Sequence, residues 1–282
     1  MNPTVPDMPI REAPQGALIA YTVLMVLTTL AFFMWWALRE RKRGPALLLF
    51  LIGGAISGLM EPWLDNVVLV GYPPHQVTPV FVAFERAVPI FVPIGYAWFC
   101  GGLLYVLYRA FSTEFTARKI WTLYAIVAVI DFIAIGLSAW LGILEFFGDP
   151  PMKVAGFVVW WAAIDALQIV LGATLAVFLV PVLRGAQQLW LLLIPSVVRG
   201  AAAGIVGWPI STALNSGWPM WAKYVCAFAS IGISLACTHF VAKCAPPLVE
   251  YVRRLQPPTD WVSPTETLAR SVADPDRMRT NY

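Results

Sequence analysis

The chain has 282 residues, 59% of them hydrophobic and only 12% charged, with a mean hydropathy of +0.72. Soluble domains average about 45–50% apolar and about 25% charged, so composition excludes a water-soluble globule and makes the lipid bilayer the principal solvent. The net charge of +3 is spread thinly, which excludes nucleic acid as a partner, and no glycine-rich phosphate loop is present to drive a nucleotide motor.

The first sixteen residues, Met1 to Gly16, are polar and proline-rich and lack the basic n-region of a cleavable leader. A spanning helix needs about 20 mainly apolar residues. Seven segments meet that requirement: Ala17–Leu38, Ala46–Val70, Ala87–Tyr108, Ile120–Leu144, Val154–Val182, Leu189–Leu214 and Trp221–Val241. The expected fold is therefore all-α, an integral membrane bundle of seven transmembrane helices over residues 17–244. No internal repeat is evident, and composition sets no oligomeric state. The stretch 245–282, rich in Pro, Thr, Asp and Arg from Gln256 onward, reads as a largely disordered cytoplasmic tail.

Lysine and arginine fix the expected orientation. Fourteen of the 19 fall on one side, in the loops holding Arg39 to Arg43, Arg109 to Lys119 and Arg184, and in the tail. Arg11, Arg86, Lys153 and Lys223 fall on the other. By the positive-inside rule the N-terminus is outside and the C-terminus cytoplasmic.

Ionisable groups inside spans cost about 2.5–3.5 kcal/mol each even on lenient insertion scales, so each calls for a reason. At about 1.5 Å rise per residue, Asp131, Asp165 and Arg199 all lie about 15–16 Å into the fourth, fifth and sixth spans, close to the midplane. Equal depth allows them to meet. Tyr124, Asp131 and Ser138 share one face of the fourth span, and Trp161, Asp165 and Gln168 share one face of the fifth. Such a set serves either as a structural Asp–Arg–Asp lock or as a working site, because two carboxyls against one guanidinium leave one acid surplus as a proton donor.

A second cluster is Glu61-Pro62-Trp63-Leu64-Asp65, followed by Tyr72-Pro73-Pro74-His75. Glu61 and Asp65 are four apart and so share a helical face. Pro62 removes a backbone donor and predicts a kink, and Gly53, Gly54 and Gly58 before it suit a helix shaped around a cavity. The alternative is an interfacial helix end whose acids face water. Of the tryptophans, Trp161 and Trp208 lie deeper than an interfacial belt and are the candidates for a substrate pocket. The cysteines Cys100, Cys226, Cys237 and Cys244 lie in apolar segments without metal-ligand spacing, so neither a metal nor a disulfide framework is expected.

Through Glu61-Pro62-x-x-Asp65 and then Gly71-Tyr72-Pro73, together with size and span number, the chain resembles the AveC-like spirocyclase family of actinobacterial membrane proteins. The resemblance implies a cofactor-free cyclase that closes spiroketal rings on a lipophilic, polyketide-like substrate with loss of water. It carries Glu61, Pro62, Asp65 and Tyr72 as matching positions. On this reading Glu61 and Asp65 are the acid–base pair, with Asp131 and Asp165 as second candidates for catalysis. Tyr72, Trp161, Gln168, Arg199 and Trp208 are the candidates for binding substrate.

Two other classes fit the same features. An integral membrane terpene cyclase would use the acids to protonate an alkene or epoxide and the tryptophans to stabilise the cation. A proton-coupled transporter would use Asp131, Asp165 and Arg199 as a relay. A retinal-type receptor is excluded, since Lys223 and Lys243 stand only at the two ends of the seventh span and leave no mid-helix lysine for a Schiff base.

Overall fold

In the computed structural model, residues 6, 8, 9, 12–73 and 79–255 are described. Arg11, Pro74, His75 and the tail from Gln256 onward lie outside them. Among the described residues, seven helices are long and apolar enough to cross a membrane: Gln15–Arg43, Ala46–Val68, Phe91–Thr113, Ala117–Trp140, Val159–Leu179, Gly185–Val206 and Met220–Glu250. The protein is thus an all-α membrane bundle, with only three two-stranded ribbons in its described loops. Met1–Pro246 packs as one unit; the second, Pro247–Tyr282, is described only over 247–255. The last helix therefore runs on to Leu255, past the expected boundary at 244.

Several spans are not single α-helices. The second is α2 (Ala46–Ser57), a 3-10 turn at Gly58–Met60 and α3 (Glu61–Val68), after α1 (Gln15–Trp35). Pro62 stands in the first turn of α3, where its missing N–H has no intrahelical partner to lose, so the expected kink becomes a restart. The third span joins α4 (Phe91–Tyr96) to α5 (Leu104–Thr113) through a π-helical turn, Ala97–Leu103. The glycines of α2 serve close packing rather than a cavity. A Cβ on Gly53 would run into the Leu192 carbonyl, and one on Gly54 would strike Tyr96 and Gly101.

The fourth span, α6 (Ala117–Trp140), buries Ile120, Tyr124, Val127, Asp131 and Ser138, a stripe at helical spacing that leaves the rest of the helix to lipid. The fifth, α7 (Val159–Leu179), is buried along most of its length and packs against α5, α6 and α8 (Ile194–Ala201), so it is the central post of the bundle. The sixth span does not reach Leu214. It ends in a π-helical turn at Ala202–Val206, and Gly207 and Pro209 start a separate short helix, α9 (Trp208–Asn215), before α10 (Met220–Leu255).

One end of the bundle carries a cap. Leu69 adopts a left-handed backbone (φ 54°) at the end of α3 and turns the chain into β1 (Val70–Gly71). The ribbons β2 (Pro79–Ala83) with β3 (Arg86–Pro89), β1 with β4 (Glu145–Phe146), and β5 (Lys153–Val154) with β6 (Phe157–Val158) are all antiparallel. The β1–β4 pair ties the loop after the second span to the loop after the fourth. Lys223 Nζ donates to the Gly148 carbonyl at 2.8 Å and Lys153 Nζ to the Phe146 carbonyl at 2.6 Å, pinning that loop.

Candidate functional site

Beneath the cap lies a cavity of about 80 Å³. Its wall is aromatic: Tyr21 from α1, Tyr72 after β1, Phe91, Tyr96, Trp98 and Phe99 from the third span, Phe146 from β4 and Trp161 from α7. Three charged side chains reach it, Glu61 from α3, Asp165 from α7 and Arg199 from α8.

Those groups form one hydrogen-bonded array. The Tyr72 hydroxyl donates to Glu61 Oε1 and the Tyr96 hydroxyl to Glu61 Oε2, while Arg199 Nη2 donates to the Tyr96 hydroxyl oxygen. Arg199 Nη2 also stands 3.8 Å from Glu61 Oε2, and Nη1 stands 3.5 Å from Asp165 Oδ1. Nη1 donates to Gln168 Oε1 at 3.3 Å, and Gln168 Nε2 donates to Cys100 Sγ at 3.2 Å. The guanidinium carbon lies 4.1 Å from the centre of the Tyr96 ring, so the arginine is held by charge, hydrogen bonds and an aromatic face together. The Asp131 carboxyl on α6 is fully buried, and neither of its oxygens has a hydrogen-bond partner among the described residues.

Local structure explains how six elements converge here. The π-helical turn after Tyr96 adds a residue to one turn of the third span and brings Tyr96 and Cys100 to the same interior face. A second π-helical turn follows α8, so Tyr96 and Arg199 both stand next to a locally widened turn. The left-handed Leu69 folds Tyr72 back over Glu61.

Tyr72 lies outside the spans. Burial of its hydroxyl, and then the Glu61 carboxylate beside it, hold it well above the usual phenol range of about 10. It therefore stays a neutral donor to Glu61 at physiological pH. Above pH 10 the unfolded chain releases this proton while the folded chain keeps it, so this group's contribution to stability falls as pH rises beyond that point. Tyr72→Phe removes one of the two hydroxyl donors on Glu61. With no phenol to titrate, the variant is expected to lose less stability than the wild type as pH rises past about 10, read from thermal unfolding across that range.

Of the expected meeting, Asp165 and Arg199 pair while Asp131 is buried without a hydrogen-bond partner, and Glu61 joins the Arg199 array instead of heading a separate cluster. Asp65 does not line the cavity; it is only 1% exposed, and neither carboxyl oxygen has a hydrogen-bond partner. The restart of the helix at Glu61 aims Glu61 inward and leaves Asp65 one turn further toward the cap, in contact neither with Tyr72 nor with the cavity. Gln168 orients Arg199 from behind and Trp161 lines the wall. Trp208, expected in the pocket, is 58% exposed, because the sixth span ends before it and α9 buries Pro209, Ile210 and Ser211 instead. Trp98 takes the place expected of it, with Nε1 donating to Met25 Sδ at 3.3 Å. Tyr96, the hub between Glu61 and Arg199, is absent from the sequence reading, since a tyrosine in an apolar span reads as an interfacial belt residue.

A second polar knot lies at the far end of spans one and three. Buried Glu40 accepts from the Tyr105 hydroxyl at 2.6 Å and pairs with Arg109 at 3.5 Å. Among the described residues, no group of three or more His, Cys, Asp or Glu side chains is placed to hold a metal ion. No family model matches the chain, and no curated protein and no solved structure matches it.

Proposed function

We propose that the protein is a cofactor-independent membrane enzyme that closes a ring in a lipophilic, polyketide-like substrate by acid–base catalysis, with spiroketal-type cyclodehydration as the reaction. The observation that carries this reading is the cavity itself, in which an aromatic wall meets two carboxyls, Glu61 and Asp165, on either side of one guanidinium. The resemblance of Glu61-Pro62-x-x-Asp65 and Tyr72 to AveC-like spirocyclases supports it. The orientation that goes with it has the N-terminus and the cap outside and the C-terminus in the cytoplasm, in the plasma membrane of a bacterium.

A ketal forms from a dihydroxyketone in two additions. In the first, one hydroxyl oxygen bonds to the ketone carbon while its proton passes to a base and an acid protonates the carbonyl oxygen. In the second, the two carboxyls exchange roles: the one protonated in the first step gives its proton to the hemiketal hydroxyl, which leaves as water, while the other hydroxyl bonds to the same carbon and passes its proton to the carboxylate left by the first step. On this reading Glu61, which receives two tyrosine hydroxyls and faces a guanidinium, is the base of the first addition. Asp165, on the wall of the same cavity, is its acid. A cavity of about 80 Å³ takes the reacting segment and not a whole polyketide, so the remainder of such a substrate lies outside it. Excluding bulk water favours the closed ring, because water is a product.

A second reading rests on the wall. Phe91, Trp98, Phe99, Phe146 and Trp161 around one acid also suit a carbocation, as in an integral membrane terpene cyclase. Mass spectrometry separates the two. Membranes with and without the protein are incubated with a lipid extract of the native host. A product lighter by one water, seen only with the protein, is the expected result; an isomer of unchanged mass supports terpene-type closure. No new species overturns both and leaves Asp131, Asp165 and Arg199 as a carrier's proton relay.

A further inference from the structure

Two ends of the cavity are closed by described residues, and one lateral side is thinly walled. Toward the cap, the β1–β4 pairing, Met8 packed on Gly71, and the lysine-pinned carbonyls of Phe146 and Gly148 form a laced cover. Toward the opposite end, Ser57, Cys100, Gln168 and Leu104 are all buried, with Leu104 pressed against Gly172 so closely that a Cβ there would overlap it. The third side is the seam between α1 and α6. There the wall consists of Tyr21 and Met25 from α1 and Ala134 and Ile135 from α6. Ala134 and Ile135 are only half-buried, and their neighbours Ile133 and Val129 face outward. In α1 the buried residues are Leu18, Tyr21 and Met25 alone, and α1 packs on α4 and its π-helical turn.

We infer that the α1–α6 seam is a lateral portal through which substrate passes from the bilayer into the cavity. The inference deepens the proposed enzyme and rests on that reading for what happens after binding. Its chemistry narrows the substrate class. Tyr21, Met25, Ala134 and Ile135 carry no charge, so the portal passes a neutral lipophile without a charged headgroup. The polar groups lie on the far wall, so the oxygen-bearing end goes in first and the aliphatic remainder stays in lipid.

Photolabelling tests this without measuring turnover, so it stands or falls apart from the enzyme reading. The full chain in phosphatidylcholine vesicles is irradiated with a short dialkyl diazirine dissolved in the bilayer, and labelled residues are mapped by mass spectrometry. Label is expected on the cavity residues Val92, Phe99 and Trp161 as well as on lipid-facing Val129 and Ile133. Ala134→Trp is expected to cut cavity labelling about tenfold, the factor that ~1.4 kcal/mol of overpacking in the portal gives, and to leave Val129 labelled. Ile135→Ala, which trims the α6 side of the seam, is expected to raise cavity labelling about fivefold, the equivalent of ~1 kcal/mol. If Ala134→Trp disturbs the lipid-facing pattern, the Ile135→Ala arm decides. The portal is overturned if the cavity stays unlabelled in the wild type, or if a water-soluble quaternary-ammonium diazirine labels it equally well. Cavity labelling that neither variant changes overturns it too.

Discussion

Glu61→Gln is expected to lower turnover by about 10²–10⁴-fold, the range for loss of a positioned general base, with little change in substrate binding. The substitution is close to isosteric, so the aromatic wall that holds the substrate keeps its shape. The glutamine oxygen still accepts a tyrosine hydroxyl, while the amide nitrogen cannot take a proton from an attacking hydroxyl. Arg199 retains Asp165 at 3.5 Å as a charged partner, so the fold is not left with an unpaired cation. The predicted signature is thus a fall in kcat at nearly constant KM, with thermal unfolding in detergent close to that of the wild type. A variant whose kcat stays within a few-fold of the wild type removes Glu61 from the chemistry and makes its two tyrosine contacts a structural matter.

Much of the fold was legible because the bilayer imposes a length on every spanning helix, and seven apolar runs of that length are plain in the chain. Depth arithmetic along straight helices also brought Asp131, Asp165 and Arg199 to one level, where the structure pairs Asp165 with Arg199 and buries Asp131. It kept Glu61 apart for a physical reason. The second span is broken by the 3-10 turn at Gly58–Met60, which changes both depth and facing, and a linear count along the chain cannot register such a turn. Trp208 failed for a related reason, since an apolar run continues through Val206 and Gly207 although the helix does not. Tyr96 carried no charge to mark it. The signal available was local: Pro93, Gly95, Gly101 and Gly102 crowd the third span, and such residues weaken a regular helix where a π-helical turn then forms. Glu40 was masked by the basic run from Arg39 to Arg43, which reads as a solvated loop although Glu40 turns inward to Tyr105.

Arg199→Ala is expected to destabilise the bundle by ~3–5 kcal/mol, the cost of removing one partner from a buried charge network. The guanidinium is 4% exposed and serves groups on three other elements: Glu61 and Tyr96 through Nη2, and Asp165 and Gln168 through Nη1. Without it two carboxyls face each other across an apolar cavity with no cation, and Gln168 and Tyr96 each lose a donor. Arg199→Lys restores the charge but not the fork, because an ammonium is a point charge and reaches only one of the two carboxyls. Its expected stability is therefore intermediate. The decisive comparison is Arg199→Met combined with Asp165→Asn and Glu61→Gln, which neutralises the whole set. If stranded carboxylates cause the loss, the triple variant unfolds in detergent at a higher temperature than Arg199→Met alone even though it has lost more of the native array. If the triple variant is as unstable as that single one, the arginine acts by filling space between Tyr96 and Trp161, and the ion pairs contribute little. Charge thus predicts a gain on neutralising the two carboxyls and packing predicts none, and the unfolding temperatures decide between them.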